Sequence, residues 1–505
     1  MIGYEFLLSR IPLRMPPLAQ PARVKPVTRI EQRPDLLAVP RHAAPDAEAS
    51  ILDHALFALK HEPIQLAILH EALKLVPADD LARAFDAQRT SGYLRRAAFV
   101  WEKANGKALP LSGDTTGGNY VDFFDRKTYL TGPLWERNPK YRVNFNGIGP
   151  YEFCPTVRRD LELERRGQDV LSRLGAWVSD PAHAQLVDRV MGWAYLSETR
   201  DTYAIENEAP SPDKERAFLQ AMERLRDRTP LSEDYLVELQ NVVITNDLKL
   251  EHGFRNRQNW LQRGGHGALA VRYVPPAPHD LGPLIDGLIR MANAREGDVP
   301  PLVRAALVSF GFVFLHPFMD GNGRVSRLLA HHSLNFHEVL PTIGGNPAIL
   351  PLSVAMKRNE REYLAALEAF SKPARQLWDV TAIADSEFVF DFVSSPLAYA
   401  HWSGEAAAAF VTACAEAALE QSLVDETAFV QAYDQAHERI DDAFDLPDRT
   451  INLLIQWIRQ NGFKMPERRR NAAELITLAP EQIARIEAIV ADCFRDAPPG
   501  GRPRG

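Results

Sequence analysis

The sequence predicts an all-α protein with minor β structure, and three features support this. Apolar residues recur at helical spacing through residues 51–105, 161–372 and 398–495. One glycine-rich, β-like stretch, Leu261 to Tyr273, interrupts the middle pattern. The 505 residues are 46% hydrophobic and 25% charged, which is average globular usage, so the chain has enough apolar residues for a sizeable core and is not wholly disordered.

The first part of the chain is predicted to contain an arm and a helical region. Eight of the first 45 residues are prolines, a density that favours an extended segment over a helix or central strand. We therefore assign residues 1–50 to a proline-rich extended arm and residues 51–160 to an N-terminal helical and loop region. Gly106 is a typical helix stop, and residues 106–160 are rich in Gly, Pro, Asn and Asp, which indicates ordered loops with short strands.

Charge and cysteine usage restrict the partners and the compartment. The 58 basic and 66 acidic residues give a net charge of −8, which argues against a general nucleic-acid binder. Three cysteines (Cys154, Cys414 and Cys493) are too few for a disulfide framework and fit a reducing compartment. The apolar run Ala305 to Leu315 is shorter than the roughly 18 residues of a membrane span, and the N-terminus does not resemble a secretory leader. We expect a soluble, cytoplasmic protein without a membrane partner.

One loop between two helical segments has the composition of a polyphosphate site. It reads His316-Pro317-Phe318-Met319-Asp320-Gly321-Asn322-Gly323-Arg324-Val325-Ser326-Arg327. Pro317 disfavours helix at His316 and so ends the preceding helix there. Gly321 and Gly323 permit positive φ and leave backbone N–H groups open to an anion. The next helix begins directly afterwards, so the positive end of its dipole faces the loop.

The side chains of this loop suit the same chemistry. Arg324 and Arg327 lie three residues apart on one helix face, where two guanidiniums favour phosphate oxygens. Asp320 offers a hard oxygen for Mg²⁺ when phosphates complete the metal's shell. His316 can take a proton near neutral pH. An isolated histidine here would more simply bond a backbone carbonyl, and the arginines could be surface charges. Arginine at a helix N-terminus opposes the dipole, however, so a bound anion explains the set better.

The twelve-residue string resembles the signature of the Fic (filamentation induced by cAMP) family, HPFx(D/E)GNGRxxR, at every specified position. The flanking sequence is similar as well. Gln258-Asn259-Trp260 and the following hairpin resemble the segment with the target-docking flap, and residues 350–364 resemble the helix that closes the adenine side. Upstream, residues 202–207 match the (S/T)xxxE(G/N) inhibitory motif. Their place before the loop resembles the subclass whose inhibitory helix is N-terminal to the Fic core.

The resemblance covers roughly residues 165–375 and implies a fold. We expect a Fic-type helical core with a small β-hairpin flap, flanked by additional helical regions. The Fic domain would span residues 161–385 with an inhibitory helix at about 199–207, and residues 386–505 would form a C-terminal helical region.

The resemblance also implies an activity, namely transfer of AMP from ATP to a Ser, Thr or Tyr hydroxyl of a protein. His316 would be the general base and Asp320 the Mg²⁺ ligand. The implied ATP- and phosphate-binding residues are Phe318, Gly321, Asn322, Gly323, Arg324, Arg327 and Asn359. Glu206 would inhibit by pairing with Arg327, while Thr202 and Asn207 cap or orient its helix. The implied flap residues are Leu261, Gly264, Gly265 and Tyr273, and a target strand would lie beside Ala268 to Tyr273.

Two alternatives remain open at the level of sequence. A glutamate-bearing Fic protein can instead remove AMP from a modified protein or catalyse both reactions. A protein of another class would use the Fic scaffold only for non-catalytic interactions, but the intact His316, Asp320 and arginine pair argue against that. A related branch that phosphorylates from ATP has lysine at the position of Gly323, so glycine favours nucleotide transfer. The expected partners are ATP and a protein target, with auto-modification and a homo-oligomer left open.

Overall fold

The computed structural model describes residues 1–113, 117–244, 249–264, 266–384, 387–469 and 478–495, and over these the chain is mainly helical. The helices are α1 Gly3–Arg10, α2 Ile51–His61, α3 Leu66–Lys74, α4 Ala78–Ala87, α5 Gly92–Asn105, α6 Leu161–Ser179, α7 Val187–Ile205, α8 Pro212–Arg224, α9 Glu233–Val243, α10 Pro278–Asn293, α11 Pro301–Leu315, α12 Asn322–Phe336, α13 Leu352–Arg358, α14 Glu360–Arg375, α15 Leu397–Ala400, α16 Glu405–Ala417, α17 Val424–Phe444, α18 Asp448–Gln460 and α19 Pro480–Cys493. The predicted fold class is confirmed.

The strands are short and form small separate sheets. They are β1 Ala22–Val24, β2 Glu31–Gln32, β3 Leu37–Val39, β4 Val121–Asp122, β5 Glu136–Asn138, β6 Val143–Phe145, β7 Leu261–Gln262, β8 Val271–Tyr273, β9 Thr342–Ile343, β10 Asn346–Pro347, β11 Trp378–Ala384 and β12 Glu387–Phe392. The sheet orders are β1-β3-β2, β4-β6-β5, and the antiparallel pairs β7-β8, β9-β10 and β11-β12. The predicted β-like stretch therefore does contain a hairpin, β7-β8.

The chain divides into two compact units, each built from three separate segments. The first unit contains residues 1–167, 227–337 and 360–412. The second contains residues 168–226, residues 338–359 and the described residues from Ala413 onward. The four consecutive regions expected from the sequence (1–50, 51–160, 161–385 and 386–505) do not coincide with these units, because the helical core draws on distant parts of the chain.

The extended arm predicted for residues 1–50 is wrong, because this segment is folded into the first unit. It contains α1 and the β1-β3-β2 sheet, and Tyr4 and Leu7 are buried at 1% and 0% exposure. The backbone N–H of Tyr4 donates to Oε1 of Glu62 at 2.9 Å. The prolines lie between these elements rather than inside them, so proline density did not prevent local structure.

The core of the first unit positions the loop that follows α11. Residues of α11 are buried almost all round, as expected for a central helix. This helix packs against α10, α12 and α14, while α9 packs against α12. Pro300 and Pro301 start α11 in a position where proline costs no hydrogen bond. The loop between α11 and α12 therefore joins two helices that are fixed by packing on several sides.

The second unit, taken by itself, contains two helical groups. In one, α7 packs against α8 and α13. In the other, α17, α18 and α19 surround an apolar cluster that includes Ile451, Leu454 and Ile458. Pro447 caps the start of α18, whose first residue is Asp448. By length and apolar composition alone, the continuous helical stretch Glu405–Phe444 resembles a membrane span, but 61% of its most apolar window is buried in the protein, as in a core helix.

Candidate active site

The loop after α11 is shaped by two residues with left-handed backbone. His316 caps α11 with φ 50° and ψ 57°, and Pro317 follows it. Gly321 caps the start of α12 with φ 85°. The backbone conformation therefore favours glycine, and a Cβ atom at this position would crowd Cδ1 of Ile244 at 3.1 Å. Gly323 does not use the positive φ that glycine permits, because this residue lies inside the first turn of α12.

The ring of His316 is oriented by the helix that it ends. The residue is 9% exposed, and its Nδ1 lies 3.1 Å from the carbonyl oxygen of Val313. A carbonyl oxygen only accepts hydrogen bonds, so Nδ1 carries the ring proton in the neutral form. The atom that can then accept a further proton is Nε2. This is the tautomer that a general base at this position requires.

Arg255 fixes the backbone of His316, a contact that the sequence did not predict. The side-chain Nε of Arg255 donates to the carbonyl oxygen of His316 at 2.8 Å. The backbone N–H of Arg255 donates to the carbonyl oxygen of Pro317, also at 2.8 Å. The remaining guanidinium nitrogens donate to the carbonyl oxygens of Arg257 and Pro276. The side chain is buried, and burial lowers its pKa to about 10. Arg255 therefore holds the strained residue through main-chain contacts only, for which no sequence pattern exists.

Replacing Arg255 with methionine should destabilise the protein strongly, because two buried carbonyl groups and a partly buried one would lose a charged donor. We expect a loss of about 2–5 kcal/mol in the free energy of unfolding. Arg257→Met is the matched control, since that side chain is exposed and only its carbonyl group takes part. Denaturant unfolding of the two variants checks this, and equal stability of both would contradict the assigned role.

Phe318 and Asn322 close the loop on itself. Asn322 accepts from the backbone N–H of Phe318 at 3.0 Å and donates to its carbonyl oxygen at 2.8 Å. Asn259 donates to the same oxygen at 2.9 Å. The ring of Phe318 has 0% exposure and lies against Phe254 and Phe312. The ring is thus enclosed by protein in this structure, and a nucleotide contact of Phe318 stays a prediction. Both side chains keep the loop backbone in place.

Asp320 is surrounded by donors. Its Oδ1 accepts from Nη2 of Arg324 at 3.0 Å and from the backbone N–H of Gly321 at 2.7 Å. Its Oδ2 lies 2.5 Å from Nζ of Lys249. Burial opposes ionisation of Asp320, but the Lys249 hydrogen bond, the Arg324 charge and the Gly321 N–H outweigh it, so its pKa is lowered. Lys249 was not predicted, since it lies 71 residues from Asp320 in sequence.

Both arginines of the loop are buried rather than on the surface. Arg324 is 2% exposed, and its Nη1 donates to the carbonyl oxygen of Val243 at 3.1 Å. Arg327, also 2% exposed, has its Nη1 3.4 Å from the hydroxyl of Tyr363 on α14. The ring of Tyr363 stacks on Phe410 with centroids 5.6 Å apart. Buried guanidiniums at the start of a helix form a strongly cationic wall, which favours an anion of several charges.

The described residues contain no group of three or more His, Cys, Asp or Glu side chains that is placed to hold a metal ion by protein ligands alone. The carboxylate of Asp320 lies beside the cationic wall, with Oδ1 3.0 Å from Nη2 of Arg324. This donor set fits Mg²⁺ that arrives with phosphates, because Mg²⁺ commonly takes one or two carboxylates and completes its shell with phosphate oxygens and water.

The two paired flap residues, Leu261 and Tyr273, have different environments. Leu261 is 44% exposed on β7 and pairs with Tyr273 on β8. Tyr273 is buried, and its hydroxyl donates to the carbonyl oxygen of Phe314, so its role is to anchor the hairpin to α11. The described turn includes Gly264 at φ 56°; Gly265 lies outside the described residues.

The strand edge expected beside Ala268 to Tyr273 is wrong. Residues Gly267–Ala270 form a 3₁₀ turn, so only Val271–Tyr273 is a strand there. The guanidinium of Arg375 already donates to the carbonyl oxygens of Val271 at 3.0 Å and Ala268 at 3.4 Å. An added strand would therefore have to use the side of β7 instead.

Residues 202–207, which match the (S/T)xxxE(G/N) string, lie at the end of α7 in the second unit. This helix is longer than the expected 199–207, and Glu206 is its exposed C-terminal cap. Asn207 has φ 58°, a left-handed conformation that asparagine and glycine tolerate best, which explains why one of these two follows the glutamate. Thr202 is buried within α7 rather than at its cap. The pairing of Glu206 with Arg327 stays a prediction.

Asn359 also belongs to the second unit, where it ends α13 and its side-chain amide donates to the carbonyl oxygen of Ala355 at 2.9 Å. The single helix expected over residues 350–364 is broken at this point into α13 and α14. A nucleotide contact of Asn359 stays a prediction.

Comparison with known proteins finds a family match over the segment that contains this loop. The Fic/DOC family matches residues 230–334. The "Protein adenylyltransferase Fic" of Drosophila yakuba and that of Drosophila ananassae are each 35% identical over 117 residues, which is 23% of this chain and 21% of theirs. The chain thus matches about a fifth of the length of these curated relatives. A Fic family protein from Desulfovibrio desulfuricans G20 aligns with a TM-score of 0.39 and 13% identity over 67% of this chain and 88% of that one.

The matched segment contains α9, the flap, α10, α11, the loop and nearly all of α12, which are the elements that position His316, Asp320 and both arginines. The chain therefore carries a Fic domain, and its homologues include Fic protein adenylyltransferases.

Proposed function

We propose that the protein transfers AMP from Mg-ATP to a Ser, Thr or Tyr hydroxyl of a protein and that Glu206 restrains this activity. The observation that carries the proposal is the convergence, within one loop, of a histidine in the tautomer of a base, a carboxylate and two buried arginines. The matched family segment and the relatives named as protein adenylyltransferases support it.

In the proposed reaction His316 acts on the target hydroxyl. Nε2 takes the hydroxyl proton as the oxygen forms a bond to the α-phosphorus, and the bond between the α-phosphorus and the bridging oxygen breaks, releasing pyrophosphate. The Nδ1 contact with Val313 stabilises the resulting imidazolium, because a protonated ring still donates to that carbonyl. Arg255 keeps the ring in place through the backbone. Positioning of this kind supplies a large part of the rate in phosphoryl-type transfer.

The phosphates would lie against the start of α12. The N–H groups of its first turn, together with Arg324 and Arg327, neutralise charge that builds up on the leaving pyrophosphate. Asp320 would hold Mg²⁺, which neutralises and aligns the phosphates when bound. Gly323 leaves the first turn of α12 without a side chain at the position where the phosphorylating branch of the family has lysine, so the site suits nucleotide transfer.

The experiment is transfer of label from ATP in a cell lysate, using the Glu206→Gly variant and mass spectrometry of the modified band. An adenylylated target protein is the expected result. If the variant neither labels a protein nor binds Mg-ATP in calorimetry, the alternative of a non-catalytic interaction protein replaces this proposal.

Removal of AMP is a second candidate, favoured by the match of residues 202–207 to the inhibitory motif. In that reaction Glu206 would orient a water molecule toward the modified residue. Incubation of a pre-adenylylated target with the wild-type protein distinguishes the two, because a hydrolase releases AMP and a transferase held inactive by Glu206 does not.

The flap should matter for the protein target more than for ATP. We propose that the target adds a strand on the side of β7, so Leu261→Asp should raise KM for the target about tenfold with little change in ATP affinity. Leu134→Asp is the control, since that leucine is similarly exposed at 48% and lies outside the flap. Steady-state kinetics gives KM for the target, and a separate binding measurement gives the affinity for ATP. If both affinities fell equally, the flap would be purely structural.

A cytoplasmic location is part of the proposal. The three cysteines of the chain are free thiols, and two of them, Cys154 and Cys414, are buried. Free thiols fit a reducing compartment.

A further inference from the structure

We propose that Lys249 is a placeholder for the metal ion. Its ammonium group binds Oδ2 of Asp320 until the divalent cation displaces it. Lys249 thereby sets the Mg²⁺ concentration at which the site accepts ATP. The inference rests on the proposed function, because it assigns the control of metal binding at the same site. It concerns a residue outside the twelve-residue loop, which neither the loop string nor the flanking motifs contain.

The two oxygens of Asp320 have partners of different kinds. Oδ1 is held by Arg324 and by the N–H of Gly321, both fixed in the loop and the first turn of α12. Arg324 is itself buried and bonded to the carbonyl oxygen of Val243, so it has little freedom to leave. Oδ2 contacts Lys249, whose side chain is 55% exposed. Oδ2 is therefore the oxygen that can change partners.

The backbone of Lys249 is tied to α9, so its position beside Asp320 is built into the fold. Gln240 is fully buried, and its Nε2 donates to the carbonyl oxygen of Lys249 at 3.2 Å. The same Nε2 lies 3.4 Å from the backbone carbonyl oxygen of Asp320. Asn241 makes two hydrogen bonds of 3.0 Å with the backbone of Glu251. The backbone on the α9 side is thus fixed, while the flexible four-carbon stem lets the ammonium move away.

A metal ion and the ammonium group of Lys249 cannot both bind Oδ2 of Asp320, because two cations at contact distance from one oxygen repel each other. The carboxylate must exchange the lysine contact for the metal contact. A half-exposed ion pair is worth little, so removing this competitor should strengthen metal binding by about three- to tenfold. The exchange needs no movement of Arg324 or of the loop.

The test is calorimetric titration of ATP into the full chain over a series of Mg²⁺ concentrations, in the Glu206→Gly background. Lys249→Met and Lys249→Gln should each lower the Mg²⁺ concentration at half-maximal ATP binding by about fivefold, whereas Lys249→Arg should leave it close to the parent value. Lys372→Met is the control, since it removes one positive charge from a surface ion pair with Glu368.

The outcomes separate the inference from the proposed function. If the parent shows Mg²⁺-dependent ATP binding and both neutral variants share its midpoint or require more Mg²⁺, the placeholder role is wrong and the proposed function stands. If the parent shows no Mg²⁺-dependent ATP binding, the proposed function and the inference fail together. An equal shift in Lys372→Met would also overturn the inference, because net charge alone would then explain the effect.

Discussion

Replacing His316 with alanine is expected to lower the rate of AMP transfer by about 10²–10⁴-fold while ATP affinity changes little, because the base acts on the hydroxyl and the anion cradle does not need it. The rates with and without His316→Ala should be compared in proteins that also carry Glu206→Gly, because AMP transfer should be measurable there. Intact-mass kinetics of the target, with ATP binding by calorimetry, measures both effects.

The backbone at His316 requires a second variant. At φ 50° an alanine is strained, whereas asparagine tolerates this conformation. His316→Asn should therefore lose activity as fully as His316→Ala while keeping stability closer to that of the parent. His279→Ala is the control, since that histidine is 81% exposed at the start of α10. Transfer by both His316 variants within about threefold of the parent would refute the role of base.

Replacing Glu206 with glycine is expected to raise AMP transfer, or auto-modification, by roughly tenfold or more. If Glu206 pairs with Arg327, its carboxylate takes the place of a γ-phosphate oxygen and ATP cannot bind in a productive pose. Because Arg327 is buried, a charged hydrogen bond to it of about 1.5–3 kcal/mol corresponds to roughly 10- to 150-fold in the competent population. The initial rate of transfer at saturating Mg-ATP measures the effect.

Two further variants make this prediction specific. Glu208→Gly removes a carboxylate two residues further along the chain and should leave the rate unchanged. The double variant Glu206→Gly with Arg327→Ala should lose the gain, because the γ-phosphate then has no anchor. Activation by Glu208→Gly as large as that by Glu206→Gly would show that loosening the end of α7, rather than loss of one side chain, is the cause.

The parts of the site that the sequence predicted correctly depend on neighbouring residues. Pro317 ends α11 at His316, Gly321 takes a positive φ, and α12 begins directly afterwards. Each follows from a rule about residues one to four positions apart, namely the restriction before proline, the freedom of glycine and the open N–H groups of a helix start.

The parts that the sequence did not predict depend on tertiary contacts. Arg255 reaches His316 across 61 positions, Lys249 reaches Asp320 across 71, and Arg375 covers Val271 across 104. No local sequence pattern predicts such pairs, so the contacts that position His316, bind the carboxylate of Asp320 and cover the edge of β8 are found only in the folded structure. The same limit applies to the burial of Phe318, which its place within the loop does not indicate.

The measurement that tests the central claim most directly compares ATP labelled on the α-phosphate with ATP labelled on the γ-phosphate, using the Glu206→Gly variant and its protein target. The proposed reaction predicts that the target protein acquires the α-label and the mass of one adenylyl group, and that pyrophosphate is released. The target should acquire no γ-label. Transfer of the γ-label to protein, or hydrolysis of ATP without modification of any protein, would contradict it.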